Sequence, residues 1–207
     1  MQKGVVVIGA GGHAKVCVEL LRAMGAEVDY CIGGDSSVRT CVGVPVLHGD
    51  EHIGRLRESG YQSAFVAIGS NRLREKLAAT VVEHGYCLVN AISPLAVISP
   101  SARLGSGIAI MAGAIVNAES TVADLAIINT GATVDHDCNI GRAVHIAPQC
   151  GLAGNVSVGD GSFLGIGCKV IPEQSIGANV VLGAGSVVIS PIPDGVTAVG
   201  VPARVIR

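Results

Sequence analysis

From position 98 to position 188 an aliphatic residue recurs at every sixth place without a gap: 98, 104, 110, 116, 122, 128, 134, 140, 146, 152, 158, 164, 170, 176, 182 and 188. All sixteen are Ile, Leu or Val. A helix repeats about every 3.6 residues and a half-buried strand every two, so neither produces this period. A short fixed period predicts a solenoid instead, with each hexapeptide forming one side of a triangular coil. Three hexapeptides complete an eighteen-residue coil, and each aliphatic side chain stacks on its counterpart eighteen residues away. Four places after the aliphatic position most hexads carry a small or β-branched residue, such as Ala114, Ser120, Ala126, Ala132, Cys138, Val144 and Cys150. That size suits a tight corner.

Residues 1–92 follow a different rhythm. Apolar runs at 4–8, 27–32, 64–68 and 86–89, with a short extended piece at 44–47, predict strands. Helical patterns at 13–24, 50–59 and 71–84 fall between them, with Asp50 and Asn71 as caps. Strands alternating with helices imply a small parallel sheet of βαβ units. The expected organisation is therefore a Rossmann-like α/β domain over residues 1–93, a parallel β-helix over 94–190 and a Pro-rich tail over 191–207 that leaves the solenoid.

Composition agrees with this division. Hydrophobic residues make up 49% of the chain and aromatic residues only 2%, so the core is aliphatic. A net charge of −2 with interspersed signs favours neither nucleic acid nor an anionic membrane as partner. Seven cysteines is an odd number, no signal peptide precedes them, and Cys138, Cys150 and Cys168 fall on solenoid corners. Buried free thiols in a cytoplasmic protein are expected. No Cys pair has metal-ligand spacing, and no uncharged apolar run reaches the roughly eighteen residues of a membrane span.

Two places carry chemistry. Gly9-Ala10-Gly11-Gly12-His13-Ala14 lies between the first strand and first helix, with the spacing of a dinucleotide-binding turn. There backbone amides approach a diphosphate at a helix N-terminus. The turn is compatible with a nicotinamide dinucleotide, a sugar nucleotide or no ligand; a sheet of about ninety residues suits the sugar nucleotide better than a nicotinamide cofactor. Gly69-Ser70-Asn71-Arg72 follows the strand at 64–68 and belongs to the same edge, where capping and ligand contact are both open roles. In the β-helix, Val134-Asp135-His136-Asp137-Cys138-Asn139 puts His136 on the outer surface between two carboxylates. A neighbouring carboxylate orients an imidazole and raises its pKa toward a value useful to a general base. His145, half a coil away, is the other histidine of this section.

With these residues in view, the hexapeptide repeat and the ending Gly200-Val201-Pro202-Ala203-Arg204 resemble the left-handed β-helix acyltransferases. The N-terminal Gly9-Ala10-Gly11-Gly12-His13-Ala14-Lys15 is similar to the subgroup with a small nucleotide-sugar-binding domain. That subgroup includes bacillosamine-pathway N-acetyltransferases, GDP-perosamine N-acetyltransferases and sialic acid O-acetyltransferases. Residues 65–74 and 127–138 look closest to the GDP-perosamine branch. The resemblance implies a homotrimer with active sites between subunits, acetyl-CoA as donor and a nucleotide-linked 4-amino-4,6-dideoxysugar as acceptor, without a metal. His136 matches the family's catalytic base and Asp137 the residue that tunes it. His145, Gly154, Ile166, Gly183 and Ala184 match acetyl-CoA contacts, with the Gly154 amide placed to polarise the thioester carbonyl. Gly11, Gly12, His13, Asp35, Ser70 and Asn71 match the nucleotide-sugar contacts. Relatives often carry an acidic pair after the second strand, where this chain has Gly33-Gly34-Asp35, which leaves GDP against UDP open. Competing readings are a UDP-linked amino sugar as acceptor, O-acetylation of a sialic acid, and a non-catalytic scaffold. A β-helix carbonic anhydrase needs three metal-binding histidines, and this section has two.

Overall fold

The computed structural model describes residues 3–207. The chain divides into two compact units, the first ending at Pro94 and the second running from Leu95 to Arg207.

In the first unit, β1 (Val5–Ile8) is completely buried and pairs in parallel with β2 (Val28–Gly33) and β5 (Ser63–Val66). With β3 (Thr40–Cys41), β4 (Val44–His48) and β6 (Cys87–Leu88), the sheet order is β3-β4-β2-β1-β5-β6. Three helices connect these strands: α1 (Gly12–Ala23), α2 (Glu51–Glu58) and α3 (Asn71–Glu83). α1 buries Ala14, Cys17, Val18, Leu20 and Leu21, the apolar stripe that makes it fold against the sheet. The sequence pattern misses β3, which pairs antiparallel with β4. Its two residues are too few to show a period, and a turn through Val42 and Gly43, both at positive φ, brings them together.

The cap assignments need correction. Ser70, not Asn71, occupies the N-cap of α3, and Asn71 is its first helical residue. Asp50 does sit at the N-cap of α2, but its side chain makes no capping hydrogen bond.

The second unit is a parallel β-helix of two-residue strands. Its three faces stack in uniform register, eighteen residues per step: Ile110 on Ile128 on Ile146 on Leu164 on Leu182, then Val116 on Val134 on Leu152, and Val122 on Ile140 on Val158. The inward aliphatic positions are buried from Ile110 onward, while Ile98 and Leu104 in the first coil are half-buried.

Each corner turns at the third residue after the inward one. From Gly107 to Gly185 every such residue has φ between 50° and 74°, including Leu125, Asp137, Ala143, Asn155 and Glu173. A non-glycine residue there costs on the order of 1–3 kcal/mol, so the stacked coils, rather than local preference, impose the turn. The small residues at the next position point inward. Ser120, Cys138, Cys150, Ser162 and Cys168 each donate to a backbone carbonyl about one coil on, at Asp135, Ala153, Gly165, Gly177 and Gly183. The thiols therefore act as donors as well as small hydrophobes, and all seven cysteines are free, with Cys87 alone exposed.

The tail departs from the expectation that it leaves the solenoid. Position 194 is an Asp, which ends the aliphatic period. Backbone pairing continues nevertheless: Ile192 bridges Ile176, Thr197 and Ala198 pair with Val181 and Leu182, and Arg204–Val205 folds back antiparallel. Ladder hydrogen bonds do not depend on the side chain, so they outlast the pattern.

Because each inward residue packs on the coils above and below, truncation leaves a void that one coil cannot fill. Ile146→Ala is expected to cost about 2–5 kcal/mol and to lower the thermal midpoint by several degrees in a melting experiment.

Candidate active site

His136 lies in the corner between Thr133–Val134 and Asn139–Ile140, with its side chain 59% exposed. Its Nδ1 is 2.8 Å from Asp137 Oδ2. That hydrogen bond is the main reason its pKa is raised above the usual histidine value, with the charges of Asp135 and Asp137 adding to it. Asp137 reaches this position because it holds the left-handed corner, at φ 58°. A proton on Nδ1 shared with Asp137 leaves Nε2 as the basic nitrogen.

Two further residues hold the corner in place. Asp135 Oδ1 accepts from the His136 backbone N–H at 2.8 Å and from Asn117 Nδ2 at 2.9 Å. These bonds, Asn117's first, hold the Asp135 carboxyl below the usual carboxylate range. Asn117 precedes Asp135 by one coil, so an eighteen-residue count applied to polar positions would have found the pair.

Gly154 follows His136 by one coil. A Cβ placed there would come within 2.5 Å of His136 Cε1 and 2.6 Å of Nε2. The imidazole therefore rests on bare backbone. Among the described residues, the Gly154 N–H has no acceptor, and neither have those of Ile166 and Ala184. All three sit two places after an inward aliphatic residue, where the ladder between coils leaves the N–H unspent. The Gly183 amide, in contrast, is taken by Ala198 O at 2.9 Å.

His145 lies on a different face from the His136 corner. It is buried, stands edge-on to Phe163 with ring centroids 5.2 Å apart, and has Nε2 3.0 Å from Asn129 Nδ2. Asn129 was not singled out from the sequence; one coil of stacking sets residues 127–129 under 145–147.

In the first unit the carboxyl ends of β1, β2 and β5 enclose a cavity of about 330 Å³. Gly9 is at φ 125°, and a Cβ there would meet Ala67 O at 2.7 Å, so the turn requires glycine. Nothing would obstruct a Cβ at Gly11 or Gly12, which face open space. Gly11 and Asp35 line the cavity; Gly12, His13, Ser70 and Asn71 do not. Its walls are apolar, from Ile8, Ile32, Val38, Ile68, Leu73 and Leu77, and Asp50 joins Asp35 at the rim. Asp35 Oδ1 accepts from the Ser37 N–H and hydroxyl at 2.9 and 2.7 Å, and the hydroxyl bond leads in lowering its pKa.

Arg74 is the residue that sequence reading overlooked. An Arg in the first turn of a helix reads as solvated, yet this one is 1% exposed. It donates to Ile68 O at 2.9 Å, Gly69 O at 3.1 Å and Asn71 Oδ1 at 3.0 Å, fixing the loop beside the cavity. Burial lowers its pKa to about 10. Burial, followed by the charge of Arg74, also lowers that of His13 to about 4, so the His13 ring is neutral at physiological pH. Among the described residues no group of His, Cys, Asp and Glu is arranged to hold a metal ion, and no helix is long and apolar enough to cross a membrane.

Comparison with known proteins places this architecture. The PglD N-terminal domain model matches residues 4–81. PerB from Caulobacter crescentus, solved in complex with CoA and GDP-perosamine, is 53% identical with a TM-score of 0.97, covering 100% of this chain and 99% of that one. The acetyltransferase domain of PglB from Neisseria gonorrhoeae, solved with acetyl coenzyme A, is 38% identical with a TM-score of 0.90 and 98% of each chain covered. GDP-perosamine N-acetyltransferase from Escherichia coli O157:H7 is 29% identical over 144 residues, 67% of this chain and 65% of that protein. A serine acetyltransferase from Synechococcus elongatus is 39% identical over 111 residues, 53% of this chain and 41% of that protein. The chain thus spans less than two thirds of the length of these curated relatives. A small parallel α/β unit followed by a left-handed β-helix with an imidazole–carboxylate corner is the build of a hexapeptide-repeat acyltransferase. The chain belongs to the sugar acetyltransferase family of PerB and of the PglB acetyltransferase domain.

A methyl group at position 154 would displace the imidazole from its seat and break its bond to Asp137. In Gly154→Ala the His136 pKa is expected to fall toward the ordinary histidine value, read by NMR titration, with the melting temperature little changed.

Proposed function

We propose that the protein moves the acetyl group of acetyl-CoA to the C4 amine of GDP-perosamine, with His136 as general base. The observation that carries this reading is the full-length likeness to PerB, whose solved complex holds CoA and GDP-perosamine. It is joined by an exposed imidazole whose Nδ1 is tied to a carboxylate. His136 Nε2 takes a proton from the sugar amine as its nitrogen forms a bond to the thioester carbonyl carbon. Asp137 keeps Nδ1 protonated and stabilises the imidazolium that results. The Gly154 N–H, directly beside the ring, is the donor for the carbonyl oxygen as charge develops on it. The C–S bond then breaks and the sulfur leaves as a thiolate, which needs little acid assistance. Neither Ser nor Cys pairs with a base at this corner, so transfer is direct from donor to amine.

The unspent N–H groups of Gly154, Ile166 and Ala184 suit the amide-bearing arm of CoA, because each offers a donor at the same place in its hexapeptide, with Ile166 and Ala184 one coil apart on one corner and Gly154 on another. His145 and the Gly183–Ala184 turn complete this side, with the Gly183 N–H already spent on Ala198. Gly11, Gly12, His13, Asp35, Ser70 and Asn71 make up the nucleotide-sugar side, where the N–H groups at the start of α1 meet the diphosphate. Residues 1–93 hold the nucleotide sugar, residues 94–190 carry the transfer, and 191–207 close the β-helix.

We place the working protein as a homotrimer in the cytoplasm, where acetyl-CoA and nucleotide sugars are made. Support for assembly comes from apolar side chains on the outside of the β-helix unit, among them Val97 (61% exposed), Ile166 (59%) and Val201 (74%).

His136→Asn is expected to reduce kcat by about 10²–10⁴-fold while CoA still binds, measured as free thiol release with GDP-perosamine. Near-normal turnover would remove His136 as the base. Since the base form exists only above its pKa, the rate falls as pH drops through that raised value. Asp137→Asn removes the largest cause of the rise, so the acidic limb of the pH–rate profile is expected to move to lower pH.

A further inference from the structure

The cavity of the first unit holds two carboxylates that differ in what they have left to offer. Asp35 Oδ1 is occupied by both donors of Ser37, which leaves one oxygen for a ligand. Asp50 stands at the N-cap of α2, where a carboxylate ordinarily bonds the helix amides, yet it makes no such bond. Its backbone carbonyl accepts from the Ile53 N–H, but among the described residues no hydrogen bond or ion pair engages its carboxylate, so both carboxylate oxygens are available beside the cavity.

Sheet order places these groups in sequence. Adjacent strands lie about 4.8 Å apart, and β4, β2 and β1 are successive neighbours. The glycine turn after β1 is the diphosphate end. The acidic residue after β2 stands where such folds meet a ribose hydroxyl, for which one free oxygen suffices. Asp50 follows β4, one strand further out, so a nucleotide laid across this edge brings its base to Asp50, against the apolar walls of Ile32 and Val38.

We propose that Asp50 reads the nucleobase and selects guanine over uracil, an inference that rests on the nucleotide-sugar reading above. Guanine presents two adjacent donors, N1–H and the N2 amino group, which a carboxylate accepts in pairwise fashion. Uracil presents one N–H between two carbonyl oxygens, and these repel a carboxylate on both sides. A site built to pair with specific N–H groups rejects analogues lacking them far more strongly than an apolar slot does. This choice does not need the acidic pair that relatives carry after the second strand, which here is Gly33-Gly34-Asp35.

The test is calorimetric titration of the full chain with GDP, IDP and UDP, beside kcat/KM for the acetyl acceptors. IDP differs from GDP only by the missing N2 amino group. The unaltered protein is expected to bind GDP at least about tenfold more tightly than IDP, and UDP more weakly still. In Asp50→Ala, and in the isosteric Asp50→Asn, the GDP-to-IDP ratio should collapse toward one, with KM for acetyl-CoA and the melting temperature unchanged. Retention of the ratio in both variants, or equal GDP and IDP binding by the unaltered protein, overturns the assignment. A GDP preference that Asp50→Ala removes, in a protein that acetylates no GDP-linked sugar, would uphold Asp50 and sink the proposed reaction instead.

Discussion

The backbone ladder between successive coils sets the terms for everything in the β-helix unit. Each two-residue strand pairs with its counterpart eighteen residues away, and each corner closes through a residue at positive φ whether or not that residue is glycine. The ladder is strong enough in aggregate to hold Leu125, Ala143 and Asn155 in a conformation that L-residues avoid. Once corner geometry is imposed in this way, any residue at a given place in the hexapeptide has a known direction. Sequence positions eighteen apart then become spatial neighbours by construction.

The active corner uses that regularity and departs from it at one point. Asn117, Asp135 and His136 form a hydrogen-bonded chain because two of them share a coil position and the third follows directly. Asp137 adds the outer carboxylate from the strained corner position itself. The departure is Gly154, where the absence of a side chain is what makes room for the imidazole. The same position in the hexapeptide exposes unspent N–H groups at Gly154, Ile166 and Ala184, on two corners of the coil. A repeat built for stability thereby presents donors at regular intervals, and only the local side chains decide which become part of a site.

The α/β unit is arranged by a different constraint. Parallel strands leave their carboxyl ends free to carry loops, and close approach between the β1 turn and Ala67 requires glycine at position 9. Arg74 then fixes the loop after β5 by donating to Ile68, Gly69 and Asn71. A buried guanidinium is costly unless its donors are satisfied, so this cluster holds one arrangement of the loop; burial, with the Arg74 charge adding to it, keeps His13 neutral.

Much of this protein was legible in its residues alone. The six-residue period determined the solenoid, its coil length and its inward side chains, because a hydrophobic repeat can be buried in only one way at that spacing. The alternation of apolar runs and helical stripes determined the parallel sheet, and His136 between two carboxylates stood out against a section with two histidines. Tertiary structure alone decided the rest. Asn129 beside His145, the seat of His136 on Gly154 and the spent amide of Gly183 depend on stacking across coils. The burial of Arg74, the short β3 and the tail's continued pairing had no hydrophobic pattern to announce them. The reason is physical: burial repeats along the chain and so leaves a period, whereas hydrogen-bond partners are chosen in space, where nearness in sequence carries no weight.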